Sequence, residues 1–355
     1  MFWNQSLIAI DIGSSSVKLC ELSRTGKALK QIAYQVFPTL AVVDGEIREP
    51  EVVREIILDM LKKAKIQTKG RRASVAINGS GIILKRAIVT PEHGDVFEPA
   101  AQEASQLFQA DSDDLYLRFA PLGRPYKDGR VPMVLVGARR DLVEQYIGLI
   151  RSVGLRTGVV DCGPLAIANM FDYNYPVKDV LITLVNVGAT TTQVIVLHNG
   201  EYYYSRDVAI GGSDYNKKIM ERAGVDEENA ESLKFSASSG GGQVQEEVLE
   251  AINDINELMS SEIVTTLNFF FENEDFPKEI NRQGFVFLVG GGARTLGLDA
   301  TLAANLQMPV QIANPFQRID HRSSGYDLQY ILNQGSLYGA VLGLAMRKYQ
   351  DHQGN

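Results

Sequence analysis

Two segments half a chain apart repeat one strand–turn–strand pattern, and this duplication limits what the chain can fold into. Leu7-Ile8-Ala9-Ile10-Asp11-Ile12-Gly13-Ser14-Ser15-Ser16-Val17 reads as an apolar strand, a polar tight turn and a return strand. Ile182-Thr183-Leu184-Val185-Asn186-Val187-Gly188-Ala189-Thr190-Thr191-Thr192 repeats it, with Asn186 standing where the first copy has Asp11. The offset is 186 − 11 = 175 in a chain of 355 residues. Each turn pairs an acid or amide with a glycine two residues on, then a run of small or hydroxyl residues. Each leads into a second β-like run, Val17–Leu22 and Gln193–Leu197. A hairpin duplicated at half the chain length predicts two related lobes facing one ligand. At 45% hydrophobic residues the chain can fill a core in each.

Between the hairpins the apolar spacing is helical. Glu51–Ala64 carries Val52, Val53, Ile56, Ile57, Met60 and Leu61, with Pro50 suited to its first turn. Val244–Phe271 carries a longer apolar stripe, which reads as ordinary core packing. Ser236–Gly242, rich in Ser and Gly, is expected to be a mobile loop. Residues 81–155 break the symmetry. Strand-like runs Ile82–Val89, Leu115–Ala120 and Met133–Gly137 alternate there with helical runs Phe97–Phe108 and Leu142–Val153, predicting a small α+β insertion in the first lobe.

Charge and composition exclude several classes. The formal net charge is −8, so no nucleic-acid partner is expected. The basic run Lys62–Arg72 reads as a solvated helix end and loop. Cys20 and Cys162 share no short spacing and suit a reducing cytoplasm, and four scattered histidines form no metal-ligand pattern. No signal-peptide pattern precedes Asp11, and no apolar run approaches the roughly 20 residues that span a bilayer. A cytoplasmic protein that reaches a membrane only through a partner, without direct insertion, is the expectation.

The hairpins have the chemistry of a phosphate site. Gly13 permits a tight turn and close approach of a ligand to the backbone. Ser14, Ser15 and Ser16 offer amides and hydroxyls to phosphate oxygens. Asp11 is placed to hold Mg²⁺ through water, and Lys18 to neutralise a phosphate. Alone, this motif reads as a hairpin turn with surface serines; its repeat at Gly188, Ala189, Thr190 and Thr191 changes the balance. A third cluster, Gly290-Gly291-Gly292-Ala293, follows the buried-strand run Phe285–Val289 and would let a flat ligand lie against backbone, or serve as a helix-entry turn.

At these three places the chain resembles the actin, Hsp70 and sugar-kinase superfamily. Its two phosphate elements look like Asp11–Lys18 and Asn186–Thr191, and its adenosine element like Gly290–Ala293. The stretch Val159–Ala166 resembles the first helix connecting the lobes, and Gly335–Leu344, with glycines at 335, 339 and 343, the second. Gly211 and Gly212, followed by Glu231 and Lys234, are similar to the base and ribose segment of the FtsA and PilM branch. The insertion lies where that branch carries subdomain 1C in place of the 1B of actin. The stretch from Val289 to Leu298, Met308-Pro309-Val310 and Ala313-Asn314-Pro315-Phe316 is similar to the PilM family itself.

The resemblance implies an α/β, actin-like two-lobed fold with an inserted 1C subdomain. Subdomain 1A would comprise residues 1–80, 156–178 and 335–355, and 1C residues 81–155. Subdomain 2A would comprise 179–210 and 284–334, and 2B 211–283. It implies ATP with Mg²⁺ as cofactor, and a scaffold of the type IV pilus or a related secretion machinery, recruited to the inner membrane by the cytoplasmic tail of a PilN-like protein and coupling nucleotide state to assembly. Pilus motor ATPases and further copies of the chain are additional partners it would allow. One departure stands out: Asn186 replaces the usual Asp, bringing no charge to Mg²⁺ and taking up no proton, so weak or absent hydrolysis is expected. An FtsA-like filament protein is the alternative within the fold, although the tail from Ala345 to Asn355 has no apolar face for membrane binding. A sugar or small-molecule kinase is the alternative of another class, and would need a carboxylate base that no motif marks.

Overall fold

A computed structural model describes residues 6–108, 114–240, 244–272, 280–322 and 324–347. In the first lobe β1 (Ile8–Ile12), β2 (Ser16–Leu22) and β3 (Leu29–Val36) form an antiparallel meander. A short hairpin, β4 (Val42–Val43) and β5 (Glu46–Ile47), and helix α1 (Pro50–Lys63) lead to β6 (Arg72–Ile77), parallel to β1. The chain then makes a separate three-stranded sheet from β7 (Ile82–Val89), β8 (Leu115–Pro121) and β9 (Val131–Arg139), with α2 (Phe97–Phe108) against it. It returns through α3 (Arg140–Ser152) to β10 (Arg156–Cys162), parallel to β6.

Helix α4 (Gly163–Asn174) crosses to the second lobe. There β11 (Leu181–Val187), β12 (Thr192–His198) and β13 (Glu201–Val208) form another meander. Helices α5 (Gly212–Ala223), α6 (Glu227–Ser238) and α7 (Glu246–Glu272) precede β14 (Gly284–Val289), which is parallel to β11. Helix α8 (Leu298–Leu306) then leads to β15 (Val310–Ile312), parallel to β14. After α9 (Leu328–Gln334) and a 3-10 turn, α10 (Gly339–Ala345) packs beside α4.

The duplication therefore covers whole sheets. Their orders, β3-β2-β1-β6-β10 and β13-β12-β11-β14-β15, are the same pattern of meander plus two parallel strands. Register is conserved too: Asp11 faces Lys18 across the first hairpin as Asn186 faces Gln193 across the second. The first strand of each sheet is buried on both faces, which explains its unbroken apolar run. Ile8, Ile10 and Ile12 enter the core of the first lobe, while Ala9 points into a core shared by both lobes. In β11, Leu181, Val185 and Val187 enter the second lobe's core, while Ile182 and Leu184 point into the shared one.

Helices α4 and α10 fill that shared layer, and their crossing is unusually close. A Cβ on Gly343 would lie 1.8 Å from the Ala166 carbonyl oxygen, and one on Gly339 2.3 Å from Val289 Cγ1. Buried Ser74 of β6 donates its hydroxyl to the Leu344 carbonyl at 2.9 Å, fixing α10 on the first sheet. Gly335, by contrast, lies in the 3-10 turn with room for a side chain, so the expected run of three glycines on one helical face reduces to two close contacts.

The structure changes other expectations. The stretch Val159–Cys162 is strand, and the first connecting helix starts at Gly163 with Pro164 in its first turn. Ser236–Ser238 are helical rather than loop: Ser238 Oγ donates to the Lys234 carbonyl and accepts the Leu296 amide, tying the helix end down. Ser239 caps that helix and Gly240 continues the turn, while residues 241–243, which include the last two residues of the expected loop, and the tail from 348 lie outside the described residues. Within 81–155, β7, β9 and α2 have a small core of their own, whereas Leu142, Tyr146, Leu149 and Ile150 of α3 join the core of the first lobe. Among the described residues no helix is long and apolar enough to cross a membrane.

Asp320 and Tyr326 lie against the outer edge of the first sheet near the start of β3. Leu29 N–H donates to the Asp320 carbonyl, and Asp320 N–H to that of Lys27. The Tyr326 hydroxyl accepts from Ile32 N–H at 3.1 Å and donates to Ile32 C=O at 2.6 Å.

Because the atom facing Gly343 is backbone, Gly343→Ala is expected to cost about 3 kcal/mol. Urea unfolding measures it; an unchanged midpoint would mean the two helices can separate freely.

Candidate functional site

The two hairpin turns meet across the cleft. Side chains alternate along a strand, so Asp11 projects on the face of Ala9 and Asn186 on the face of Leu184, the faces that look toward the shared layer. Both turns close identically: Gly13 N–H donates to Ser16 C=O and Gly188 N–H to Thr191 C=O, each at 2.9 Å. At their tips Thr190 Oγ1 donates to Ser14 Oγ at 3.1 Å. Among the described residues no protein acceptor meets the amides of Ser14, Ser15, Ala189 and Thr190. Amides and hydroxyls from two turns thus converge on one point, as an anion requires.

Behind the turns the copies differ. Lys18 Nζ lies 3.7 Å from Asp11 Oδ2, an ion pair largely shielded from solvent. The equivalent positions hold a neutral amide pair, with Asn186 Nδ2 donating to Gln193 Oε1 at 3.1 Å. Gln193 Nε2 reaches on to Asn78 Oδ1, at 3.4 Å, on the first lobe. The Asp-to-Asn change is therefore half of a coupled exchange, an ion pair replaced by two amides. Applying the 175-residue offset to Lys18 lands on Gln193, a signal in the sequence that motif reading passes over.

The other glycines back the second turn. A Cβ on Gly211 would lie 2.6 Å from the Ala189 carbonyl oxygen, so only glycine lets α5 start this close. The first amides of α5 are spent on the turn: Gly212 N–H donates to Gly188 C=O at 2.9 Å and Ser213 N–H to Ala189 C=O at 2.8 Å. Gly290, at φ +91°, abuts Val187 and the Asn186 side chain, and Gly292 abuts Val187 Cγ1. Ala293 is buried, and Gly291 alone of this cluster is exposed. Lys234 Nζ donates to Gly212 C=O (3.0 Å), Asn216 Oδ1 (2.7 Å) and Glu231 Oε2 (2.7 Å), so α6 is braced against the start of α5. Tyr34 on β3 hydrogen-bonds Ser16 and feels the Glu231 carboxylate; partial burial, its main cause, raises its phenol above the ordinary range.

A cavity of about 360 Å³ adjoins the second turn, with Asn78, Thr191, Gln193 and Asp207 in its wall. Asp207 lies opposite Gln193 in the β12–β13 ladder. Desolvation by the surrounding protein raises its carboxyl; the Gln193 hydrogen bond opposes this and nearby Asp44 adds to it. Asn78, Gln193 and Asp207 are cleft residues that no motif marks.

A family model described as "Type IV pilus assembly protein PilM" matches residues 9–349. The chain belongs to the PilM family. Among solved structures the PilM–PilN type IV pilus biogenesis complex matches with a TM-score of 0.84 and 22% identity, covering 98% of this chain and 99% of that one. EutJ, an ethanolamine utilization protein from Carboxydothermus hydrogenoformans, matches with a TM-score of 0.59 and 16% identity, covering 96% and 89%. MreB5 of Spiroplasma citri bound to AMPPNP matches at 0.55 and 14%, covering 96% and 94%. These likenesses show the actin-like ATPase fold. This PilM-family chain is accordingly an actin-like protein of type IV pilus assembly, and the convergent turns lie in the cleft between its lobes.

The Glu231 carboxyl in this PilM-family chain is held below the ordinary range: burial would raise it, but Lys234 and Asn216 bonding outweighs that. Its contribution to stability is present above the ordinary glutamate range and is lost as pH falls through the depressed value. Thermal melts should show Glu231→Gln less stable than wild type at neutral pH, with the gap closing as pH falls below about 4. A gap independent of pH would mean the carboxylate charge is not what Lys234 reads.

Proposed function

We propose that this chain is an ATP-binding scaffold of the type IV pilus machinery. The single observation that carries the reading is the meeting of Ser14 and Thr190, which brings the free amides of two duplicated turns to one point. A polyphosphate fits there. Gly13, Ser14, Ser15 and Ser16 would hold one part of it, and Gly188, Ala189, Thr190 and Thr191 another, with Lys18 beside them. The adenosine would lie along exposed Gly291, flanked by Gly290, Gly292 and Ala293, with Gly211, Gly212, Glu231 and Lys234 shaping its far wall. Among the described residues no group of three or more His, Cys, Asp and Glu could hold a metal ion. Mg²⁺ would therefore rest on Asp11 through water and on phosphate oxygens, as befits an ion that keeps much of its hydration shell. Mg²⁺ supplies charge neutralisation at the phosphates.

The neutral Asn186–Gln193 pair supports binding with weak turnover, since neither amide can take a proton from an attacking water. The subdomain partition given above belongs to the same reading.

Calorimetry with a non-hydrolysable ATP analogue is expected to show binding that Gly13→Asp abolishes, because a carboxylate would face the phosphates. Unchanged affinity in that variant would remove the assignment. In the same preparation wild-type turnover should stay far below the roughly 10 per second of an ordinary enzyme.

The partner follows from the family and from the matched structure, a PilM–PilN complex. The reading is recruitment to the cytoplasmic side of the inner membrane by the tail of a PilN-like protein, with nucleotide state coupled to assembly, and with motor ATPases or further copies of the chain as additional contacts. The peptide would lie between the inserted module and the first lobe, where Asp44 of the β4–β5 turn accepts from the Ser80 amide just before β7. Val43 and Ile83 stand exposed on the elements flanking that junction. Val43→Asp and Ile83→Asp should each weaken a labelled PilN-tail peptide by about tenfold, the scale of burying one apolar side chain. Full affinity in both variants would move the peptide elsewhere.

A further inference from the structure

The basic run at the end of α1 has company that the sequence does not reveal. Strands β1, β6 and β10 are parallel and start at one end of the first sheet, where the β2–β3 turn also lies. Three loops therefore share this base. The α1–β6 loop and its helix end bring Lys62, Lys63, Lys65, Lys69, Arg71 and Arg72. The β2–β3 turn adds Arg24, Lys27 and Lys30, and the α3–β10 connection adds Arg151 and Arg156. The loops touch: Arg156 N–H donates to Arg71 C=O at 3.0 Å, and a Cβ on Gly154 would lie 3.1 Å from Thr68 Oγ1.

Eleven of the chain's 35 Lys and Arg thus gather on three segments holding two of its 43 Asp and Glu. Those two acids are already taken, Asp59 by Lys63 and Glu21 by Arg71 and Lys30. Asp320, which adjoins the turn at Ala28, is paired with Arg322. Arg24, Lys27, Lys62, Lys65, Lys69 and Arg156 are exposed and make no ion pair among the described residues. A cavity of about 730 Å³ opens on the same base, walled in part by Lys30, Lys65 and Arg71, and Arg71 Nε is buried with no acceptor among the described residues. In a chain of net charge −8 this is a cationic end on an anionic body.

We propose that the base of the first lobe is a docking face for an anionic membrane surface, its cations reading phospholipid headgroups. Such a face needs no inserted segment, since clustered cations within a Debye length of an anionic leaflet act additively. The face lies at the end of the sheet opposite the Gly13 turn, about 20 Å away by the rise of β2. Docking there leaves the cleft open. The proposal is independent of the peptide reading, because it concerns lipid alone.

Flotation of the full chain with vesicles tests it, without nucleotide or partner. The chain is expected to bind phosphatidylcholine vesicles in which a third of the lipid is phosphatidylglycerol, to ignore pure phosphatidylcholine, and to be released by salt. Replacing Lys62, Lys65 and Lys69 by Ala together should weaken binding on the order of 100-fold with the unfolding midpoint unchanged. The same replacement at Lys217 and Lys218 on α5 should change nothing. Absence of binding to the anionic vesicles at low salt would overturn the proposal and leave the face to an acidic protein. So would a triple variant that binds like wild type.

Discussion

The backbone-to-backbone crossing of α4 and α10 is the contact on which the rest of the molecule depends. These helices are the layer that both sheets share, and no side chain intervenes where Gly343 meets Ala166. A wider separation would part the sheets, and with them the turns that carry Ser14 and Thr190. The site in the cleft is in this sense made where the two helices cross. The turns contribute donors, but the helix crossing sets how far apart they stand.

The neutral amide pair changes how the lobes are tied. An Asp–Lys pair is satisfied within its own lobe, as Asp11 and Lys18 are. Asn186 and Gln193 each keep donors and acceptors to spare, and Gln193 uses one to reach Asn78 across the cleft. Loss of charge at the second hairpin therefore comes with a direct link between lobes.

Much of this was legible in the sequence, for a physical reason. Strands buried on both faces must be apolar throughout, so the two central hairpins declared themselves, and a shared offset revealed their relation. Periodicity also found α1, α2 and the strands of the insertion within a few residues. What escaped was information held between elements. Lys62–Arg72 reads as a solvated face because its neighbours on the base come from segments up to about a hundred residues away. Asn78 and Asp207 matter through the wall they form with Gln193, and no local pattern marks them. Ser236–Ser238 look like linker by composition, but a hydrogen bond from Leu296 holds them in a helix.

Tyr326 carries one more consequence. A sheet ending in an unpaired strand can template another strand, the usual route to unwanted aggregation. Here the outward N–H and C=O of Ile32 are both engaged by one phenol oxygen from the far end of the chain. An incoming strand would have to displace that hydroxyl before it could pair at Ile32. The first sheet is thus guarded at Ile32 by a side chain 294 residues away in sequence, so a long-range contact is what keeps this part of the edge from adhering to its own kind.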